Sequence, residues 1–242
     1  MLVQKENRIG DVVADNFRAA KIFEDFGLDF CCGGKKTIQQ ACSEKGINPE
    51  TVLSNLTGAD APAVSSAHFN KWDLDFLIDY IITNHHSYVT NEVTTIEHHM
   101  QKVLSKHGEK HPELYSVNNF FNELKEELLI HMQKEEKMLF PYIKKMVLVQ
   151  KNELEFPHPP FGSVSSPVAV MEAEHENAGK LIHELRKTAN NFTPPDDACT
   201  TFRVLYSELA DFESDLHIHI HLENNILFPK AIELEKVLTN NN

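Results

Sequence analysis

The feature that most constrains this chain is a register of histidine and glutamate that occurs twice on apolar helical stripes. His131-Met-Gln-Lys-Glu135-Glu-Lys-Met-Leu139-Phe140-Pro141 recurs 88 residues later as His219-Ile-His-Leu-Glu223-Asn-Asn-Ile-Leu227-Phe228-Pro229. A single histidine precedes each copy, His86 by 45 residues and His175 by 44. Side chains three or four apart share one face of a helix, and four such stripes are present. The first runs Ile82, His86, Val89, Val93, Ile96, Met100, Val103, and the second Leu124, Leu128, His131, Glu135, Met138, Tyr142. The third runs Val168, Met171, His175, Ala178, Ile182, Leu185, Ala189, and the fourth Leu205, Leu209, Phe212, Leu216, His219, Glu223, Ile226. The spacing predicts helices near 73–107, 113–149, 166–191 and 198–237, divided by Pro112 and Pro194-Pro195. Two matched helix pairs make a pseudo-two-fold antiparallel four-helix bundle.

Residues four apart on a helix differ by about 40° in direction and roughly 6 Å in height. His131 with Glu135, and His219 with Glu223, can therefore each reach one centre. In antiparallel pairs His86 meets the level of His131, and His175 that of His219, so six groups converge in the core. A single histidine on an apolar face is more often a core residue than a ligand. Four of them with two glutamates, duplicated in register, are hard to obtain that way. Buried carboxylates call for a cation. Four imidazoles and two carboxylates suit two iron ions, with each carboxylate free to bridge. One zinc would take four ligands and leave two over. Ferritin-like sites use Glu-x-x-His, a different order and spacing. His85, His217 and His221 flank the stripes without the spacing. His68, His98, His99, His107, His111, His158 and His183 read as surface or boundary residues. Glu136, Glu174 and Glu176 adjoin ligands, as supporting or channel groups or simply as solvated side chains.

Residues 1–56 read as a small helical domain. One helix spans Asp11 to Phe26 and stops at Gly27. The turn Asp29-Phe30-Cys31-Cys32-Gly33-Gly34 follows, then a helix capped by Thr37 that ends near Lys45, and a last one from Asn48-Pro49. Residues 57–71 have linker composition, and 72–242 form the bundle, interrupted by a loop at 156–162. A net charge of −13 argues against a nucleic-acid partner. No apolar run reaches the ~18 residues that span a bilayer, and the first residues lack a secretory stretch, so a cytoplasmic protein is expected. The four cysteines, Cys31, Cys32, Cys42 and Cys199, do not resemble a secreted disulfide framework, and reduced thiols are expected. Adjacent Cα atoms lie about 3.8 Å apart, so a Cys31–Cys32 disulfide would be strained and easily reduced, suiting a redox switch. The plainer alternative is one buried and one surface thiol in a turn.

On these residues the chain resembles a hemerythrin-like domain, and more closely the repair-of-iron-centres family of di-iron proteins, over nearly its whole length. Members share Cys31-Cys32-Gly33-Gly34, His131-Met-x-Lys-Glu135-Glu-x-x-Leu-Phe-Pro and Met171-Glu-x-Glu-His175. They also share Asn191-x-Thr-Pro-Pro-x-x-Ala-Cys199-Thr-Thr and Leu222-Glu223-Asn224-Asn225-x-Leu-Phe-Pro. The resemblance implies an all-α fold, a hemerythrin-like antiparallel four-helix bundle preceded by a small helical domain. It implies two oxo-bridged irons per chain on His86, His131, Glu135, His175, His219 and Glu223, with Glu135 and Glu223 bridging. These are the six residues that the spacing selects. The implied function is repair of iron–sulfur clusters damaged by nitric oxide or peroxide, by donating iron to iron–sulfur acceptor proteins. Cys31 and Cys32 would be redox or gating thiols. The alternative is an enzyme that reduces nitric oxide at the irons, and a less favoured one is an oxygen carrier or sensor. Oxygen-carrying hemerythrins have a fifth histidine where this chain has Gly179. Fewer histidines leave positions open to nitric oxide or oxygen, weaken the hold on metal and favour release over storage. The loop around Pro157–Pro160 looks longer than the family leads one to expect, and a homodimer is left open.

Overall fold

The computed structural model describes residues 3–58, 68–151 and 161–240, so the loop around Pro157–Pro160 and most of the 57–71 linker lie outside the described residues. Local signals set the N-terminal helices. The helix expected over Asp11–Phe26 is broken into α1 (Ile9–Asp15) and α2 (Ala19–Asp25). The break falls at Asn16, whose backbone is extended at φ −140° and ψ 97°. Its side-chain oxygen accepts from Arg18 N at 3.2 Å, the local bond with which Asn competes against helix. Gly27, at φ 64°, ends α2 in the left-handed region that costs glycine no Cβ clash. α3 (Ile38–Lys45) opens on a reciprocal cap, with Gln40 N donating to Thr37 Oγ1 (3.1 Å) and Thr37 N to Gln40 Oε1 (3.0 Å). α4 (Pro49–Gly58) starts on its proline.

Three of the four long segments contain a π-helical turn. In chain order they are α5 (Leu74–Tyr80), a π turn Ile81–His86 and α6 (Ser87–His107); then α7 (Glu113–Lys134), a π turn Glu135–Leu139 and α8 (Phe140–Gln150). α9 (Ser165–Thr188) follows without one, and α10 (Thr200–Leu222) leads through a π turn Glu223–Leu227 into α11 (Phe228–Asn240). α9 stops before the expected 191 because Asn190, Asn191 and Phe192 all have positive φ. No strand forms among the described residues, and no described helix is long and apolar enough to cross a membrane.

The chain folds as two compact units. One comprises Asp79–Tyr142 and Phe161–Leu216. Within it α6, α7, α9 and the first part of α10 form an antiparallel ring, the all-α four-helix bundle the stripes require. α7 joins α6 through Lys125 and Glu97, and α9 through Asn177 and Glu127 (2.8 Å). α10 joins α9 through Glu213 and Arg186, and α6 through Glu208 and His99 (2.8 Å). Ile96, Met100, Phe121, Leu124, Leu185 and Leu209 are buried between the helices, each burial stabilising by roughly 1.5–3 kcal/mol. The other unit comprises Met1–Ile78, Ile143–Pro160 and His217–Asn242. Its N-terminal helices pack around Ile9, Val13, Phe23, Ile38 and Val52, and α1 lies against the π turn Glu223–Leu227.

The π turns correct two stripe positions. An extra residue in a turn rotates the remainder of the helix by about 100°. Met138, expected inside, is 54% exposed, while Leu139 and Ile143 are buried. Ile82 is half-buried and Ile81 takes the core position. In α9, which has no π turn, the whole stripe from Val168 to Leu185 is buried.

Candidate metal centre

The two repeated glutamates open their π turns. Phe140 N–H bonds to the Glu135 carbonyl, five residues back, and Phe228 N–H to that of Glu223. Pro141 and Pro229 follow each glutamate by six residues. A helical proline has no N–H to give and its ring crowds the carbonyl four residues earlier, here that of Lys137 or Asn225. A wider turn upstream relieves the crowding. Such turns concentrate at functional sites, and the third one ends on His86.

In the four-helix unit His86, His131, Glu135 and His175 are all buried, Glu135 completely. Glu135 Oε2 lies 3.5 Å from His86 Nε2, and Oε1 lies 3.4 Å from His131 Nε2. Each carboxylate oxygen thus faces a different imidazole, the disposition needed to bridge two cations. His131 Nε2 and His175 Nε2 are 2.9 Å apart, and ligand atoms of His131, Glu135 and His175 all fall within 4.8 Å of one another. Phe140 stacks on the His86 ring at 5.7 Å. In the other unit His219 Nε2 is 3.2 Å from Glu223 Oε1, and both side chains are buried.

The outer imidazole nitrogens are held as a metal ligand requires. His86 Nδ1 lies 2.7 Å from Glu136 Oε1, and His131 Nδ1 2.9 Å from Glu174 Oε2. A proton on Nδ1 leaves the Nε2 lone pair pointing inward. Burial works against the charge of Glu174, but hydrogen bonds from Lys134 and His131 outweigh it and hold the carboxyl below its ordinary value. Glu176, by contrast, is exposed. A fully buried carboxylate among imidazoles is costly without a cation, and this donor set fits iron.

Spacing does not single out two further buried histidines. His85 bonds to Asp215 Oδ1 at 2.9 Å. His221, fully buried, packs its ring 5.5 Å from Phe30, and burial pushes its pKa down to about 4. The only signal for His221 lies in the prolines: a widened turn broadens the buried face beyond one stripe. In the thiol turn Cys31 is buried, Cys32 is partly exposed, and no disulfide joins them. Their Sγ atoms are 3.9 Å apart. The hydrogen bond with Cys32, and then burial, push the Cys31 thiol well above its ordinary value.

Comparison with known proteins gives two family matches. Residues 5–60 match ScdA_N, a domain of unknown function (DUF542), and residues 77–231 match the hemerythrin HHE cation binding domain. Over 233 residues the chain is 34% identical to the iron-sulfur cluster repair protein YtfE of Cronobacter sakazakii, covering 96% of this chain and 99% of that one. It is 32% identical to the YtfE protein of Musicola paradisiaca over 231 residues, 96% of this chain and 98% of the other. The Escherichia coli O8 protein of the same description is 32% identical over 232 residues, 96% and 99% of the two chains.

Proposed function

Because the chain belongs to the hemerythrin HHE cation-binding family and, over nearly its whole length, to the YtfE iron–sulfur cluster repair proteins, we propose that it repairs damaged iron–sulfur clusters by handing over labile iron. Two iron ions per chain would be held by His86, His131, Glu135, His175, His219 and Glu223, with the two glutamates bridging. When bound, the iron supplies an exchangeable metal for an iron–sulfur acceptor protein. Glu136 and Glu174 fix the tautomers of His86 and His131, so that their Nε2 atoms stay available. Gly179 stands where a further histidine would hold the metal more firmly. Residues 72–242 make up the iron-holding part, and 1–56 carry Cys31 and Cys32 as gating thiols.

One observation carries this reading: a carboxylate with no exposed surface, Glu135, has imidazole nitrogens at 3.4 and 3.5 Å on its two oxygens. Nitric oxide reduction would use the same residues and has no observation of its own. The reading is tested by metal analysis of native protein and of His131→Ala and His219→Ala, followed by iron transfer to an apo-iron–sulfur protein given sulfide and reductant. About two irons in the native chain, iron lost in both variants and cluster formation in the acceptor are expected. Folded variants that keep native iron content would remove the proposed ligands.

A further inference from the structure

Asn225 sits inside the π turn Glu223–Leu227, and its side chain reaches the thiol turn of the same unit. Its Nδ2 donates to the carbonyls of Phe30 (3.2 Å) and Cys31 (3.1 Å). Two acceptors on one side fix the orientation of the amide. The same nitrogen lies 3.2 Å from His221 Nδ1.

The amide oxygen occupies a notch lined by glycine. A Cβ on Gly10 would stand 2.5 Å from Asn225 Oδ1. A Cβ on Gly34 would collide with that oxygen and lie 2.7 Å from the Phe30 carbonyl. Gly10 N in turn donates to Gly34 O at 2.9 Å. The second glycine of Cys-Cys-Gly-Gly is therefore required by the Phe30 carbonyl within the turn and by a side chain almost 200 positions away, not by its own φ. Within the turn, Asp29 Oδ1 accepts from Cys31 N and Cys32 N (both 3.0 Å) and from Cys31 Sγ (3.1 Å). Gly33 N donates to Asp29 Oδ2 at 2.9 Å. Asp29 holds the turn together, and Asn225 ties it to the helical segment of Glu223.

We infer that Asn225 is a latch: a positioning residue that keeps the Cys31–Cys32 turn closed on the Glu223–Leu227 turn and transmits changes at Glu223 to the thiols. The latch itself rests on the hydrogen bonds of Asn225 to Phe30 and Cys31. The coupling to Glu223 rests on its proposed role as a ligand. Asn225→Asp keeps the shape but sets a carboxylate against two carbonyl oxygens. Gly10→Ala acts from the opposite side, by filling the notch against Asn225 Oδ1.

The test is iodoacetamide labelling of full-length protein, read by peptide mass spectrometry, with Cys199 as internal reference and circular dichroism as a check on folding. In iron-free protein both variants should label Cys31 and Cys32 about tenfold faster than native, the scale of one lost hydrogen bond, with Cys199 unchanged. In native protein, loading with iron should change the rate at Cys32, and in Asn225→Asp it should not. Native labelling rates in both folded variants would overturn the latch. Iron that binds the native chain without altering its thiol rates would overturn the coupling alone. Failure to bind iron would sink the proposed ligands and leave the iron-free latch result standing.

Discussion

Burial holds the His221 imidazole at about 4, against an ordinary value of 6.5, with a hydrogen bond to the Phe30 backbone opposing the shift. The unfolded chain takes up this proton near 6.5, the folded chain only near 4. The stability tied to neutral His221 is therefore fully present above 6.5 and lost as pH falls from there to about 4. It amounts to something on the order of 3 kcal/mol. Urea unfolding of iron-free protein at pH 7.5 and 4.5 should show native protein losing more stability than His221→Phe, which keeps the ring contacts with Phe17 and Phe30. The difference between the two proteins isolates the contribution of His221. An equal loss in the two proteins would mean that His221 is not held neutral. At this scale the sequence is most legible where an ionisable group interrupts an apolar stripe, as at His175. His221 escapes because it belongs to no stripe of a regular helix.

At the scale of elements, the stripes locate all four long helical segments, and α9 matches its stripe throughout because it is regular along its length. Periodicity cannot see a one-residue insertion, so the π turns escape it and Met138 reads as a core residue that the fold places outside. The prolines six residues after Glu135 and Glu223 are the available sign. In α1–α2 the cause of the unexpected break at Asn16 is likewise local, one side-chain bond to Arg18 N. If Pro141 maintains its π turn, Pro141→Ala should let residue 141 donate to the Lys137 carbonyl and regularise the helix. Glu135 would then turn away from His86 and His131. Hydrogen exchange should show a newly protected amide at residue 141, and chelator competition should show iron held several-fold more weakly. Unchanged iron affinity beside the protected amide would mean that the turn does not set the geometry of Glu135.

At the scale of the whole chain, the most telling quantity is charge placed without solvent. The protein carries a net −13, yet two of its carboxylates, Glu135 and Glu223, have no exposed surface. Hydrated surface acids gain no hydration on unfolding, whereas buried ones do. Iron held at these groups, as proposed, would offset that gain, and a metal that binds only the folded chain stabilises it by mass action, about 2.7 kcal/mol at a hundred times the dissociation constant. Chelator-stripped protein should therefore melt several degrees below the iron-loaded form, and the gap should widen with free iron. Glu223→Gln should shrink the gap by weakening iron binding, while raising the melting point of the stripped form because a buried charge is gone. Those opposite signs separate a ligand from an ordinary buried acid. A substitution that lowers both melting points equally would mark Glu223 as a packing residue, and the duplicated register would then need an origin other than metal.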